Sequence, residues 1–107
     1  MSFRWPNKDP DEQLDYSMDW SRFLGTATIS SVVWSVNNSS GAKTTIGGGA
    51  TVNGIQNVSQ TQSSDNQTAT INLASGTNNT EYTFFCTITD NSGSQAERSV
   101  KLKVREK

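Results

Sequence analysis

EYTFFCTITDNSGSQAERSVKLKV, residues 81–104, decides the fold. Tyr82, Phe84, Cys86 and Ile88 alternate with Thr83, Phe85, Thr87 and Thr89, the period of two that turns one side of a strand towards a core. Asp90, Asn91, Ser92 and Gly93 follow as a turn, and then Val100, Leu102 and Val104 alternate with Lys101, Lys103 and Arg105. The stretch is a hairpin whose second strand carries cations outward, as an edge strand guarding against aggregation would.

The same alternation recurs upstream. Residues 27–36 place Val32, Trp34 and Val36 on one face, and residues 68–73 turn Ala69, Ile71 and Leu73 inward. Residues 14–20 set Leu14, Tyr16, Met18 and Trp20 against Asp15, Ser17 and Asp19. In the middle, Val52, Ile55 and Val58 are spaced by three and imitate a helix. Their neighbours Thr51, Asn53, Gly54, Asn57, Ser59 and Thr61 are weak helix formers, and Asn53-Gly54 is a strong turn pair, so a bulged or broken strand pair is expected there. Residues 43–46 read as a short extended piece before the bend at Gly47, Gly48 and Gly49. About seven short strands separated by Ser, Asn and Gly turns predict an all-β, antiparallel β-sandwich.

Ahead of these strands, Pro6 and Pro10 fix φ and hold their predecessors extended. Residues 1–13 therefore read as an extended N-terminal arm and residues 14–107 as the sandwich. Phe3 and Trp5 lie in that arm, where a partner's groove is a natural home for them and folding back over an open end of the sandwich is the alternative. The arm and first strand carry Asp9, Asp11, Glu12, Asp15 and Asp19, whereas the end of the chain carries Arg98, Lys101, Lys103, Arg105 and Lys107. These opposite poles admit an internal pairing of the first and last strands, or docking of one copy's acidic arm on the basic strand of the next.

Length and composition limit the function. A chain of 107 residues is one domain, and a net charge of −1 gives no bulk attraction to nucleic acid or acidic lipid. The first residues lack the apolar segment of a signal peptide, and no apolar run spans a bilayer, so synthesis and assembly in the cytoplasm are expected. Cys86 is the single cysteine and there is no histidine, so neither a disulfide nor a Cys/His metal or nucleophile pair is expected; Cys86 reads as a small buried hydrophobe. No serine sits in a G-x-S-x-G elbow, and the acids of the arm lack the fixed separation that paired-carboxylate chemistry requires. Asp65-Asn66 and Asp90-Asn91 could offer oxygen ligands, but without D-x-D-x-D-G spacing they read as turns. No catalytic residue, cofactor or metal is expected.

Trp34 and the strand of Tyr82, Phe84 and Cys86 resemble the core of immunoglobulin-like domains, with Tyr16 and Trp20 as further core residues. The second cysteine is absent, and Phe84 stands where variable-type domains carry tyrosine. The closing hairpin is similar to bacterial and phage modules of this class, which dispense with the disulfide. A more specific likeness lies in KDPDEQLDYSMDWSRFLGTATISSVVWSV, residues 8–36. Lys8, Asp9, Pro10, Asp11, Glu12, Leu14, Asp15, Tyr16, Asp19 and Trp20 resemble the opening of the phage fiber-tail adaptor family, and Trp34 corresponds to the family's tryptophan before the first long turn. Residues 41–67 depart from it, being longer and richer in Gly, Asn and Gln.

The resemblance implies a structural virion protein in the tail or neck, an immunoglobulin-like β-sandwich joining tail or neck proteins to fibres without catalysis. Its partners would be other virion proteins and copies of itself in a ring, with no nucleic acid or membrane. Contacts are expected at Phe3, Trp5, Lys8, Asp9, Pro10, Asp11, Glu12, Lys101, Lys103 and Arg105. The alternative is an immunoglobulin-like carbohydrate- or surface-binding module, which would need an exposed aromatic platform.

Overall fold

A computed structural model describes residues 4–37 and 40–107. Among these described residues, eight strands form two sheets: β1 (Leu14–Asp19), β2 (Ile29–Asn37), β3 (Lys43–Thr45), β4 (Thr51–Val52), β5 (Ile55–Gln62), β6 (Thr68–Ser75), β7 (Thr80–Asp90) and β8 (Gln95–Val104). The first sheet runs β1-β6-β5-β4 and the second β3-β2-β7-β8, each four-stranded and antiparallel. One helical turn, α1 (Ser21–Leu24), carries the chain from the first sheet to the second.

Alternation builds the core. Tyr16, Met18, Ile71 and Leu73 from one sheet face Trp34, Val36, Tyr82, Phe84, Cys86, Ile88, Leu102 and Val104 from the other, all buried. Trp20 closes one end, with the Arg98 guanidinium 4.5 Å above its ring. Burial pushes the Cys86 thiol up to about 11, so it is protonated at neutral pH and packs as a small apolar group.

The middle segment is a strand pair. Asn53 and Gly54 both take positive φ, 52° and 83°, which makes the two-residue hairpin turn between β4 and β5. The β5–β6 register slips between Asn57 and Ser59, leaving Val58 as the extra residue of a bulge. The spacing of three thus arises from a turn and a bulge. Tyr82 secures the region: its hydroxyl donates to the Asn53 carbonyl (2.6 Å) and accepts from the Thr77 N–H (2.9 Å).

The principal departure from the sequence reading is at the N-terminus. Residues 4–8 form no projecting arm but a strap that runs parallel to β8, bridging Arg4 to Lys101 and Lys8 to Val104. The Trp5 N–H donates to the Lys101 carbonyl (2.9 Å), the Lys8 N–H to the Lys103 carbonyl (3.0 Å), and the Arg105 N–H to the Lys8 carbonyl (2.8 Å). The upper half of β8 is consequently covered by backbone pairing, beyond the screen of lysines expected for it.

Candidate partner surface

The strap turns four of the residues expected to touch a partner, Trp5, Lys8, Asp9 and Glu12, to internal contacts. Trp5 is 5% exposed and stacks on Tyr16 with ring centroids 4.8 Å apart, while Trp34 and Phe84 lie 5.9 and 5.8 Å away. Its indole N–H donates to the Ser17 carbonyl of β1 (3.2 Å). Trp5 is therefore a core residue, which corrects the expectation that it is free for a partner. Its short connection to β1 brings this chain's own groove within reach before any other. Phe3 lies outside the described residues.

Lys8 is corrected in the same way. It is fully buried, and its ammonium donates to the carbonyls of Ser75 (2.5 Å) and Asp9 (3.0 Å). Desolvation pulls Lys8 below the usual lysine range, opposed by Glu12, Asp9 and Asp11. The adjoining carboxylates fold the chain back. Asp9 Oδ1 accepts from the Asp11 N–H and Glu12 Oε1 from the Asp9 N–H, each at 2.8 Å, while the Glu12 N–H donates to the Asp9 carbonyl at 3.0 Å. Glu12 reaching back to the Asp9 N–H is one half of a capping box, and Asp9 Oδ1 on the Asp11 N–H is an Asx turn; together they close a turn around Pro10.

The same carboxylates hold the end of the chain. Asp9 Oδ2 accepts from the Lys107 N–H, and the Lys107 ammonium meets Glu12 Oε1, both at 2.9 Å. The hydrogen bond from Lys107 holds Asp9 below the usual carboxylate range, and that from the Asp9 N–H does the same for Glu12. The acidic and basic poles thus meet within one molecule here, with a second ion pair from Arg4 to Glu81 (2.7 Å).

What remains exposed lies beside the strap and on the outer face of the second sheet. Asp11 and Arg105 are exposed, and Pro10, Lys101 and Lys103 are partly so. Lys101 Nζ donates to Thr83 Oγ1 (2.8 Å), and Lys103 Nζ lies 3.5 Å from the Asn79 carbonyl. Further along this face Val33 is 46% exposed, and the Lys43 ammonium reaches over the Phe85 ring to Glu97. Tyr16, Trp20, Trp34, Tyr82, Phe84 and Cys86 all lie inside.

The two aspartates weighed as cation ligands serve turns. Asp90 Oδ1 accepts from the Ser92 N–H, the Ser92 hydroxyl and the Ser94 N–H, and Asp65 Oδ1 from the Ser63 hydroxyl and the Gln67 N–H. Among the described residues no group of three or more His, Cys, Asp or Glu side chains could hold a metal ion, and no helix is long and apolar enough to cross a membrane.

Sequence reasoning missed a second polar feature, on the opposite side of the sandwich. Gln60 and Gln62 sit opposite Ile71 and Ala69, at core-facing positions of β5, and their amides donate to the carbonyls of Val32 (3.4 Å) and Ile29 (3.1 Å) on β2. Asn57 is fully buried and donates to the Ile46 carbonyl (2.9 Å). Asn57 before the bulge and Gln60 and Gln62 after it are the signal that could have identified this seam, provided that the extra residue at Val58 is allowed for.

No curated protein matches this chain. Among solved structures, the solution structure of a PKD domain from the KIAA 1837 protein is similar, with a TM-score of 0.46 and 20% identity, covering 96% of this chain and 83% of that one. A family model described as podophage GP4 fiber-tail adaptor protein gp77 matches residues 8–103. A match over nearly the whole sandwich decides the matter: the chain belongs to the podophage fiber-tail adaptor family, phage tail proteins that bind other virion proteins.

Proposed function

We propose that this domain joins a tail or neck protein to a tail fibre through protein contacts alone, in several copies arranged as a ring, and performs no catalysis. The observation that carries the reading is the extent of the family match, residues 8–103, so that the adaptor role belongs to the sandwich itself. Each copy would meet its neighbours through the exposed surface around the strap, Pro10 and Asp11 in its turn together with Lys101, Lys103 and Arg105 along and beyond β8. Asp9 and Glu12 would act indirectly, by holding that turn in shape.

The test is to delete the gene from the phage and examine the particles by electron microscopy, with the protein resupplied from a plasmid as the control. Particles that keep their tails but lose their fibres until the protein is restored are the expected result. Full fibre occupancy without it would sink the proposal.

A further inference from the structure

The second sheet has a gap in its strand order. On the side of β2 away from β7, β3 pairs only with Ser35, Val36 and Asn37, and the Ile46 N–H donates to the Trp34 carbonyl (2.9 Å). Below that point the line of β3 stops, because the chain crosses to the other sheet. Alongside Ile29–Val33, the Ile29 N–H goes to the Asn66 carbonyl (2.8 Å), and the carbonyls of Ile29 and Val32 receive the Gln62 and Gln60 amides described above. Across the gap, β5 also lacks a strand beyond Asn57, since β4 is two residues long. Between them lies a cleft of about 200 Å³ lined by Val32, Gln60, Thr61 and Gln62.

The other edges are defended. The strap covers upper β8, and β1 has its Ser17 and Asp19 carbonyls capped by Trp5 Nε1 and Arg98 Nη1 and carries Asp15 and Asp19 itself. β3 carries Lys43, and β4 is too short to template a strand. Charge, proline or cover is the normal protection of an edge. Beside Ile29–Val33 the Ile29 N–H is held by the Asn66 carbonyl and the strand is bulged at Ser30, but the carbonyls of Ile29 and Val32 have, among the described residues, side-chain amides at 3.1 and 3.4 Å standing where main-chain N–H groups of another strand would stand. Turning those amides outward leaves no buried group unpaired once main-chain donors replace them.

We infer that this gap is a strand-addition site, alongside Ser31–Val33, for an extended, uncharged segment of another virion protein, about three residues and about 10 Å long. Neutrality follows from the lining, which contains no ionisable group. Alternate residues of the added strand would lie beside Ser31 and the exposed Val33, suiting β-branched side chains, and over Gln60 and Gln62, suiting small polar ones. The inference rests on the adaptor reading and names the surface through which it works.

Two double variants test it in opposite directions. Q60K/Q62K places ammonium groups against the two carbonyls, where an added strand would have to bury them; Q60A/Q62A removes the caps. Each is carried by the phage in place of the natural gene, and copies of the protein per purified particle are counted after the isolated variant is shown to melt like the wild type. A fall of at least about tenfold for Q60K/Q62K, with Q60A/Q62A incorporated at wild-type level, is expected. Equal incorporation of Q60K/Q62K overturns the inference, whereas absence of the wild-type protein from tails overturns the adaptor reading instead. Should Q60K/Q62K not fold, hydrogen exchange of the Val32 amide decides: slower in the particle than in the isolated protein supports strand addition, and an unchanged rate refutes it.

Discussion

The two long sides of this sandwich are closed by different means. On one, between β1 and β8, the chain lays its own backbone across the opening, drives Trp5 between the sheets and buries an ammonium on two carbonyls. On the other, between β2 and β5, Gln60 and Gln62 reach across with single hydrogen bonds and leave a cleft. The first closure orders a large aromatic and several main-chain bonds at once, so opening it exposes apolar surface and breaks pairing together. The second can be opened by rotating two side chains. One side is thus a structural seal, and the other is the side available to change partners.

The largest predicted effect tests the seal. Trp5→Ala removes a buried aromatic surrounded by Tyr16, Trp34 and Phe84, and should cost about 3–5 kcal/mol of a stability of about 5–15. Denaturant titration of the purified domain measures it. An unchanged midpoint would restore residues 4–8 to the status of a loose arm and erase the contrast between the two sides.

A smaller loss is expected from Lys8→Met. The aliphatic stem is kept, but the Ser75 carbonyl loses the ammonium as donor while the Asp9 carbonyl retains the Glu12 N–H, at a cost of about 1–3 kcal/mol for the hydrogen bonds of a charged donor. Removal of a desolvated charge offsets part of that, so the change should stay below that of Trp5→Ala. Lys8→Met exceeding Trp5→Ala would mean that the ammonium, and not the indole, is what closes this side.

The sandwich itself was legible in the sequence because every long strand has one buried face, and Tyr82, Phe84, Cys86 and Ile88 report it by alternation alone. Asn53-Gly54 was legible because a two-residue hairpin turn demands positive φ. The strap was not. Trp5, Pro6 and Lys8 carry no period, and their fate depends on parallel pairing with β8, nearly a hundred residues away. The K-D-P-D-E element is recognisable as a family signature, but the internal contacts of Lys8, Asp9 and Glu12 within it are not, since carboxylates that fold a turn and carboxylates that dock a partner look alike in a sequence. Burial of a lysine is rare enough that no composition rule anticipates it. Gln60 and Gln62 escaped notice because the bulge at Val58 shifts the parity of β5, concealing that they face inward.

Acid should affect the seal in a defined direction. Asp9 and Glu12 titrate below their ordinary values of 3.8 and 4.5 in the folded protein, each held down first by a backbone N–H. Between the folded and ordinary values the unfolded chain binds more protons, so their contribution is complete above about pH 4.5 and is lost as the pH falls through the folded values. Thermal melts from pH 6 downward should fall below about pH 4, and D9N/E12Q should show a shallower fall than the wild type. Asp90, held low by Ser92, adds to the decline in both proteins and leaves the difference between them intact. The gap between the two proteins should be widest near neutral pH and close in acid, and a gap that widened as the pH fell would contradict the sign.

The smallest effect belongs to the opposite side. The Gln60 amide is 3.4 Å from its acceptor and the Gln62 amide 3.1 Å from its own, lengths at and beyond the normal range for N–H···O bonds, and Gln62 is solvent-exposed. Water can replace either donor, so Q60A/Q62A should lower stability by less than about 1 kcal/mol in total. Asn57 is the instructive control. It is fully buried one bulge away and donates to both the Ile46 carbonyl and Gln60 Oε1, so Asn57→Ala strands a core carbonyl and should cost more than both glutamines together. If denaturant titration reversed that order, the glutamines would be part of the core's own structure, and the side between β2 and β5 would be sealed as firmly as the one beneath the strap.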